Sequence, residues 1–235
     1  MRTTTNELVF KGIILLAGLI VLVPLAGATP IYLTFDCITN NNPNSSAIGE
    51  SQLKVKVDEY GVGKVLFTFF NVGIAACSIT DVYFDNGKPA ETLKNLYGLI
   101  DKDNGIGGDN GVDFSPNASP ANLPGANFAT PPFVVSAGLS ADSDSPVMSN
   151  GVNPGESLGV IFTLLSGKTF ASVVAALASG DLRVGIHVQG FANGFSEGYI
   201  NIPPPNTSLI PEPGTISLLA MGLISLASIK RRRTA

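Results

Sequence analysis

"LKVKVDEYGVGKVLFTFFN", residues 53–71, decides the fold. Leu53, Val55 and Val57 alternate with Lys54, Lys56 and Asp58, which sets one face of an extended chain in a core and the other in water. Gly61-Val62-Gly63 interrupts the pattern, and Lys64 to Asn71 resumes it as the partner strand of a hairpin with a loop of a few residues.

The same period recurs outward from this hairpin. Ile31 to Phe35 opens the domain as a strand, and Ser78 to Phe84 forms another, closed by the turn-forming Asp85-Asn86-Gly87. Ser157 to Leu165 is nearly continuous in apolar residues, as expected of a strand covered on both faces. Leu182, Val184, Ile186 and Val188 alternate with Arg183, Gly185, His187 and Gln189, and Tyr199 to Ile202 completes the set. One helix interrupts the strands: residues 169–178 carry Phe170, Val173, Val174 and Leu177 at helical spacing, with Gly180 just beyond. Residues 101–156 are dense in Asn, Gly, Pro and Ser and read as long loops holding one or two short strands. Seven or so short strands with one short helix predict an all-β chain. The expected architecture is an antiparallel β-sandwich, a jelly-roll-like arrangement being one version of it.

Both ends of the 235-residue chain read as targeting segments. Residues 1–28 have sparse basic residues (Arg2, Lys11), an apolar run from Gly12 to Leu25, and the small-x-small pattern Ala26-Gly27-Ala28. This predicts a signal-peptide helix cleaved after Ala28, with Thr29 as the mature N-terminus. Residues 206–235 hold Pro211-Glu212-Pro213-Gly214, an uncharged apolar run from Thr215 to Ile229, and Lys230, Arg231, Arg232 and Arg233. As a helix that run reaches only about 22 Å. A bilayer core of about 30 Å makes it a short, weakly held transmembrane span. The terminal cations hold its end in the cytoplasm and place the rest of the chain on the far side. Pro211 and Pro213 keep the preceding segment extended, a shape that a processing enzyme can grip. The exported β-domain is then residues 29–205.

Composition narrows the functions available. Residues 29–210 keep 8 of the 14 Lys and Arg and 16 of the 18 Asp and Glu, a net charge of −8 against −4 for the whole chain. Such a surface repels phosphate backbones, which argues against a nucleic-acid partner. His187 is the single histidine, expected to face solvent, so no three-histidine zinc site can form. The chain has no Gly-x-Ser-x-Gly elbow and no phosphate-cradling loop. Nothing selects a pair of carboxylates for glycoside hydrolysis. The chain is read as a non-enzyme without a cofactor.

Cys37 and Cys77 allow one intramolecular disulfide on the exported side, worth roughly 4 kcal/mol for a loop of this length. Two buried free thiols are the alternative. The acidic, glycine-rich loop with Asp101, Asp103, Asn104, Asp109 and Asp113 offers hard oxygen ligands of the kind calcium takes. Its register departs from the helix-loop-helix pattern, since Gly105 falls at a ligand position and Ile106 where the glycine belongs. A solvated acidic loop is therefore the favoured reading. Asn-x-Ser/Thr triplets at Asn44, Asn117 and Asn206 follow from composition. Tyr60, Tyr83, Tyr97 and Tyr199 are the aromatic residues available for a carbohydrate platform, in a chain without Trp.

The order "PEPGT", apolar run, terminal arginines resembles the PEP-CTERM sorting signal of exopolysaccharide-producing Gram-negative bacteria. The resemblance covers about 25 residues and implies processing by a membrane-embedded exosortase. It gives Pro211, Glu212 and Pro213 as the recognition motif, residues 215–229 as the span and Lys230 to Arg233 as the stop. The segments "LTFDCITNNN", "AIGESQLKVKV", "SITDVYFD", "NGVNPGESLGVIF" and "DLRVGIHVQGF" resemble a recurrent exported domain found upstream of such tails. That likeness implies a secreted non-enzyme and supplies no site. Together they imply a cell-surface or extracellular protein with a structural or adhesive role in biofilm or exopolysaccharide. Its partners would be the secretion translocase, the exosortase, the inner membrane during transit, and exopolysaccharide. A secreted carbohydrate-binding module is the other reading.

Overall fold

The computed structural model describes residues 28–87, 91–102 and 111–205. In chain order these form β1 (Ile31–Leu33), β2 (Phe35–Cys37), α1 (Pro43–Gln52), β3 (Leu53–Glu59), β4 (Lys64–Asn71), β5 (Ser78–Asn86) and β6 (Leu93–Lys102). There follow β7 (Phe114–Pro116), a 3-10 turn (Ala126–Phe128), β8 (Ser140–Ser143), α2 (Val147–Asn150) and β9 (Ser157–Leu164). The domain ends with α3 (Phe170–Ser179), β10 (Leu182–Gln189) and β11 (Glu197–Asn201).

The hairpin forms as its alternation requires. β3 and β4 pair antiparallel from Leu53 opposite Asn71 to Glu59 opposite Val65. Every second residue of β4 is buried. The turn between them uses Gly61 and Gly63 at φ 66° and 68°, backbone that a side chain would strain.

Two antiparallel sheets result, ordered β1-β3-β4-β9-β6 and β2-β11-β10-β5-β8-β7. The expected opening strand is broken at Thr34, where the chain leaves the first sheet and joins the second. The facing sides share one core. Phe67 and Phe162 of the first sheet meet Phe84 of the second edge-on, at ring-centroid distances of 5.0 and 4.6 Å. Each such contact adds about 0.5–1.5 kcal/mol beyond the area it buries. The described residues are mostly β, with few short helices and a two-sheet arrangement consistent with the expected all-β sandwich.

β5 is buried along all nine residues. Val82 and Phe84 face the shared core, while Tyr83 lies in a second apolar cluster with Ala118, Leu123, Phe133 and Ile200. Residues 117–136 form this cover over the outer side of the second sheet. Glycines in the strands let it approach. A Cβ on Gly185 would stand 2.7 Å from Leu123 Cδ2, and one on Gly198 would stand 2.2 Å from the Pro124 carbonyl oxygen.

Several expectations need correction. The predicted helix is found as α3, with Thr169 and Ser172 forming its capping box and Gly180 its left-handed C-cap. Two more helices, α1 and α2, occur among the described residues. α1 has no apolar stripe to betray it, because it packs through Ser45, Ser46 and Gly49. Its start is set by Asn42, whose side chain accepts from the Asn44 and Ser45 amides, and by Pro43 in its first turn. Asp85 and Asn86 lie inside β5 instead of turning the chain. Asn86 Oδ1 accepts from the Thr92 and Leu93 amides and so fastens the start of β6. β6 itself was not foreseen. Bulges after Leu93 and Leu96 bring Leu93, Leu96 and Leu99 to the core at a spacing of three, which erases the two-residue period.

Candidate functional site

A cluster of titratable side chains sits on the outer side of the second sheet. His187 does not face solvent as expected; it is 8% exposed, and its Nδ1 lies 2.9 Å from Asp81 Oδ2. His187 stands directly opposite Asp81 on the neighbouring strand, and the register shifts just beyond the pair, where Thr80 of β5 is left unpaired. Asp81 is 1% exposed and also accepts from Thr80 Oγ1 at 2.9 Å. Asp142 of β8 stands directly opposite Asp81. Its carboxyl is pushed up to about 6, first by burial and then by the neighbouring Asp81. The other Asp81 oxygen, Oδ1, has no hydrogen-bond partner among the described residues. A proton on Asp142 is what that carboxylate can accept.

Burial first, then Asp81, also pushes the Tyr83 hydroxyl up, and this hydroxyl donates to the Pro120 carbonyl at 2.9 Å. Asp142 is thus the carboxyl of this row that holds its proton more tightly than usual. Asp81 and His187 are too enclosed to meet a macromolecular substrate, so the row reads as a polar joint between strands and cover.

A second charged group fastens the same cover. Asp85 receives the Arg183 guanidinium in a partly buried ion pair and the Val134 amide at 3.1 Å. Arg183 also donates to the carbonyls of Pro131 and Pro132, at 2.7 and 2.6 Å, and lies over the Phe133 ring. The adjoining groove, about 430 Å³, is lined by Asp85, Pro131, Pro132, Val134, Asp181 and Arg183, among others. Its one cation is already committed to protein acceptors.

The cysteines are free thiols in this structure, so the disulfide alternative is not the one seen. Cys37 lies on β2 and Cys77 just before β5, with β11 and β10 between those strands. Each sulfur has its own partners. Ser46 Oγ donates to Cys37 at 3.2 Å, and Gln52 Nε2 donates to Cys77 at 3.0 Å. Burial raises the Cys77 thiol to about 11, partly offset by hydrogen bonds from Gln52 and Asn71. Next to Cys37, Glu197 is enclosed and accepts from the Asn41 and Asn42 amides at 2.9 and 2.7 Å and from Thr39. This carboxylate fixes the "CITNNN" turn that leads into α1, a structural duty.

The remaining candidates are dispersed. Asp101 is the last residue but one of β6 and Asp113 precedes β7, both exposed; the Asp101 carboxyl is raised by burial first and by Asp113 second. Asp103, Asn104 and Asp109 lie outside the described residues. Among the described residues no group of three or more His, Cys, Asp or Glu could hold a metal ion. Ala28 and Thr29 are exposed at the described start. Ala26, the Pro211–Gly214 motif, the 215–229 span and Lys230 to Arg233 lie outside the described residues. No helix among those described is long and apolar enough to cross a membrane.

The platform tyrosines divide. Tyr83 and Tyr199 are fully buried core residues, whereas Tyr60 and Tyr97 are exposed. Tyr199 donates to the Ser45 carbonyl at 2.8 Å and packs over Gly49 of α1. Sequence reading missed Tyr32, 62% exposed on β1, and it missed the pairing of Asp81 with Asp142. The alternation of β3 could have signalled the open face that Tyr32 shares with Lys56. No local signal joins Asp81 to Asp142.

No family model matches this chain, and no curated protein matches it.

Proposed function

We propose that the chain is an exported bacterial envelope protein with a structural or adhesive role beside exopolysaccharide. A signal-peptide helix precedes the β-domain, in its sandwich or jelly-roll-like form, and a transmembrane helix follows it. The translocase engages the first, and an exosortase-type enzyme processes the tail near Pro211 to Gly214 after transient anchoring in the inner membrane. The protein then resides at the cell surface or outside the cell. The observation that carries this reading is the pair of terminal segments bracketing the domain: small-x-small after an apolar run at one end, Pro-Glu-Pro, apolar run and four cations at the other. The buried carboxylates Asp81, Asp85 and Glu197 and the half-buried Arg183 support a non-enzymatic role, since each is engaged by neighbouring strands, cover or turn.

A carbohydrate-binding module is the second reading, favoured by the exposed Tyr32 and Tyr97 on one open sheet. Mass spectrometry of the protein recovered from its own host tests the main reading. The expected product begins at Thr29 and lacks Lys230 to Arg233. An intact chain in the soluble cell interior overturns it.

A further inference from the structure

The first sheet has a side that no helix or cover segment among the described residues occupies, and its charge is opposite to that of the domain. Lys54, Lys56, Lys64 and Lys102 stand on it, half of the eight Lys and Arg in residues 29–210, while that region as a whole carries −8. Only Asp58 offsets them on β3, pairing with Lys56 at 3.1 Å. Lysines often guard sheet edges against unwanted pairing. That does not account for Lys54, Lys56 and Lys64, which lie on β3 and β4, inside the sheet order. Like charges gathered on adjoining strands repel and cost stability, so folding alone gives no reason to cluster them here.

Two of these lysines, Lys56 and Lys102, line a groove together with Asp58. Tyr32, Lys56, Thr68, Gly159 and Ile100 stand level across the five strands, a width of about 19 Å at ordinary strand spacing. Gly159 forms the floor of a shallow groove of about 280 Å³, with Lys56 and Lys102 among its walls. A Cβ there would crowd Ile100 and Leu66 at 3.1 Å, so the glycine keeps the floor low. Both edge strands carry an exposed aromatic ring, Tyr32 at 62% and Tyr97 at 59%. Lys64 Nζ sits 4.5 Å from the Tyr97 ring centre, which holds cation and ring together.

We propose that this face binds an acidic polysaccharide, its carboxylates meeting the lysines and its sugar rings lying on Tyr97 and Tyr32. The inference rests on the matrix role proposed above and names the surface that would serve it. The apolar C–H face of a pyranose matches the electron-rich face of a tyrosine ring. A polymer with one charge per sugar suits a few spaced cations within an acidic domain. Duplex nucleic acid, with a charge every ~1.7 Å, would be repelled by the rest of the surface.

The full chain in non-ionic detergent is tested by titration with polygalacturonate, with neutral dextran and with single-stranded oligothymidylate. Polygalacturonate is expected to bind, more weakly as salt rises; dextran and oligothymidylate are expected to bind at least tenfold more weakly, about 1.4 kcal/mol. Lys56→Glu with Lys64→Glu should lower the polygalacturonate affinity about tenfold or more, and Tyr97→Ala should lower it separately. Unchanged melting temperatures would show that both variants fold, and the tyrosine variant serves if the double one does not. Equal binding of oligothymidylate or dextran, or undiminished binding by both variants, overturns the proposal. The measurement involves no sorting step, so its failure leaves the targeting assignment intact, just as unprocessed termini in the host would leave the binding result intact.

Discussion

Replacing Asp142 by Asn should make the protein more stable at pH 8 and flatten its stability between pH 4 and 6. In the fold the Asp142 carboxyl is raised from 3.8 to about 6 by burial and by Asp81 across the strand pair. A carboxyl raised in this way favours the folded state while protonated. Its contribution is therefore fully present below pH 3.8 and is lost as pH rises through 6. At 1.36 kcal/mol per pH unit the rise corresponds to about 3 kcal/mol. Asp142 is only half-buried, so solvent screening brings the usable figure to about 1 kcal/mol. An asparagine amide cannot ionise and can donate to the Asp81 oxygen that has no partner among the described residues. Denaturant melts of wild type and Asp142→Asn across pH 4–8 measure the difference. A variant with the wild-type pH slope, or one less stable at pH 8, refutes the reasoning.

Phe84→Ala removes the ring that joins the sheets through Phe67 and Phe162 and should cost about 3–5 kcal/mol, lowering Tm by about 10 °C in calorimetry. Gly185→Val drives a side chain into Leu123 and Phe133. It should cost about 1–3 kcal/mol and expose residues 117–136 to limited proteolysis before the rest of the domain. Both cysteines should alkylate in denaturant without reductant, giving two adducts by mass. In the folded protein Cys77 should react more slowly than Cys37, since its thiol is buried and raised to about 11.

Local patterning revealed those elements whose partners lie nearby or whose faces are plainly divided. β3 and β4 announce themselves because Lys and Val alternate on either side of a two-glycine turn. α3 does so through its apolar spacing and its C-cap glycine. β6 stayed hidden because two bulges convert its core-facing leucines to a spacing of three. α1 stayed hidden because it is held by small and polar residues under Tyr199, a contact spanning 154 positions from Ser45. The solvent-facing reading of His187 failed for a related reason. Its partner Asp81 is 106 residues away, and the strand pairing that sets them opposite each other leaves no trace in composition. The lysine-rich face was half legible: alternation put Lys54 and Lys56 on one side, but only the pairing of β9 with β4 and β6 places Gly159 and Lys102 beside them.

The crossing at Thr34 has a mechanical consequence. β11 pairs with β2 on one side and β10 on the other, and the Ile202 amide reaches back to the Thr34 carbonyl. The last strand of the described fold is thus zipped to the second, β2, and the residues leading out leave beside Thr34. A pull applied through residues 202–205 loads a strand bonded along both flanks. Its two ladders must shear together before the sheet can yield, which makes this seam a firm point from which to hang the domain.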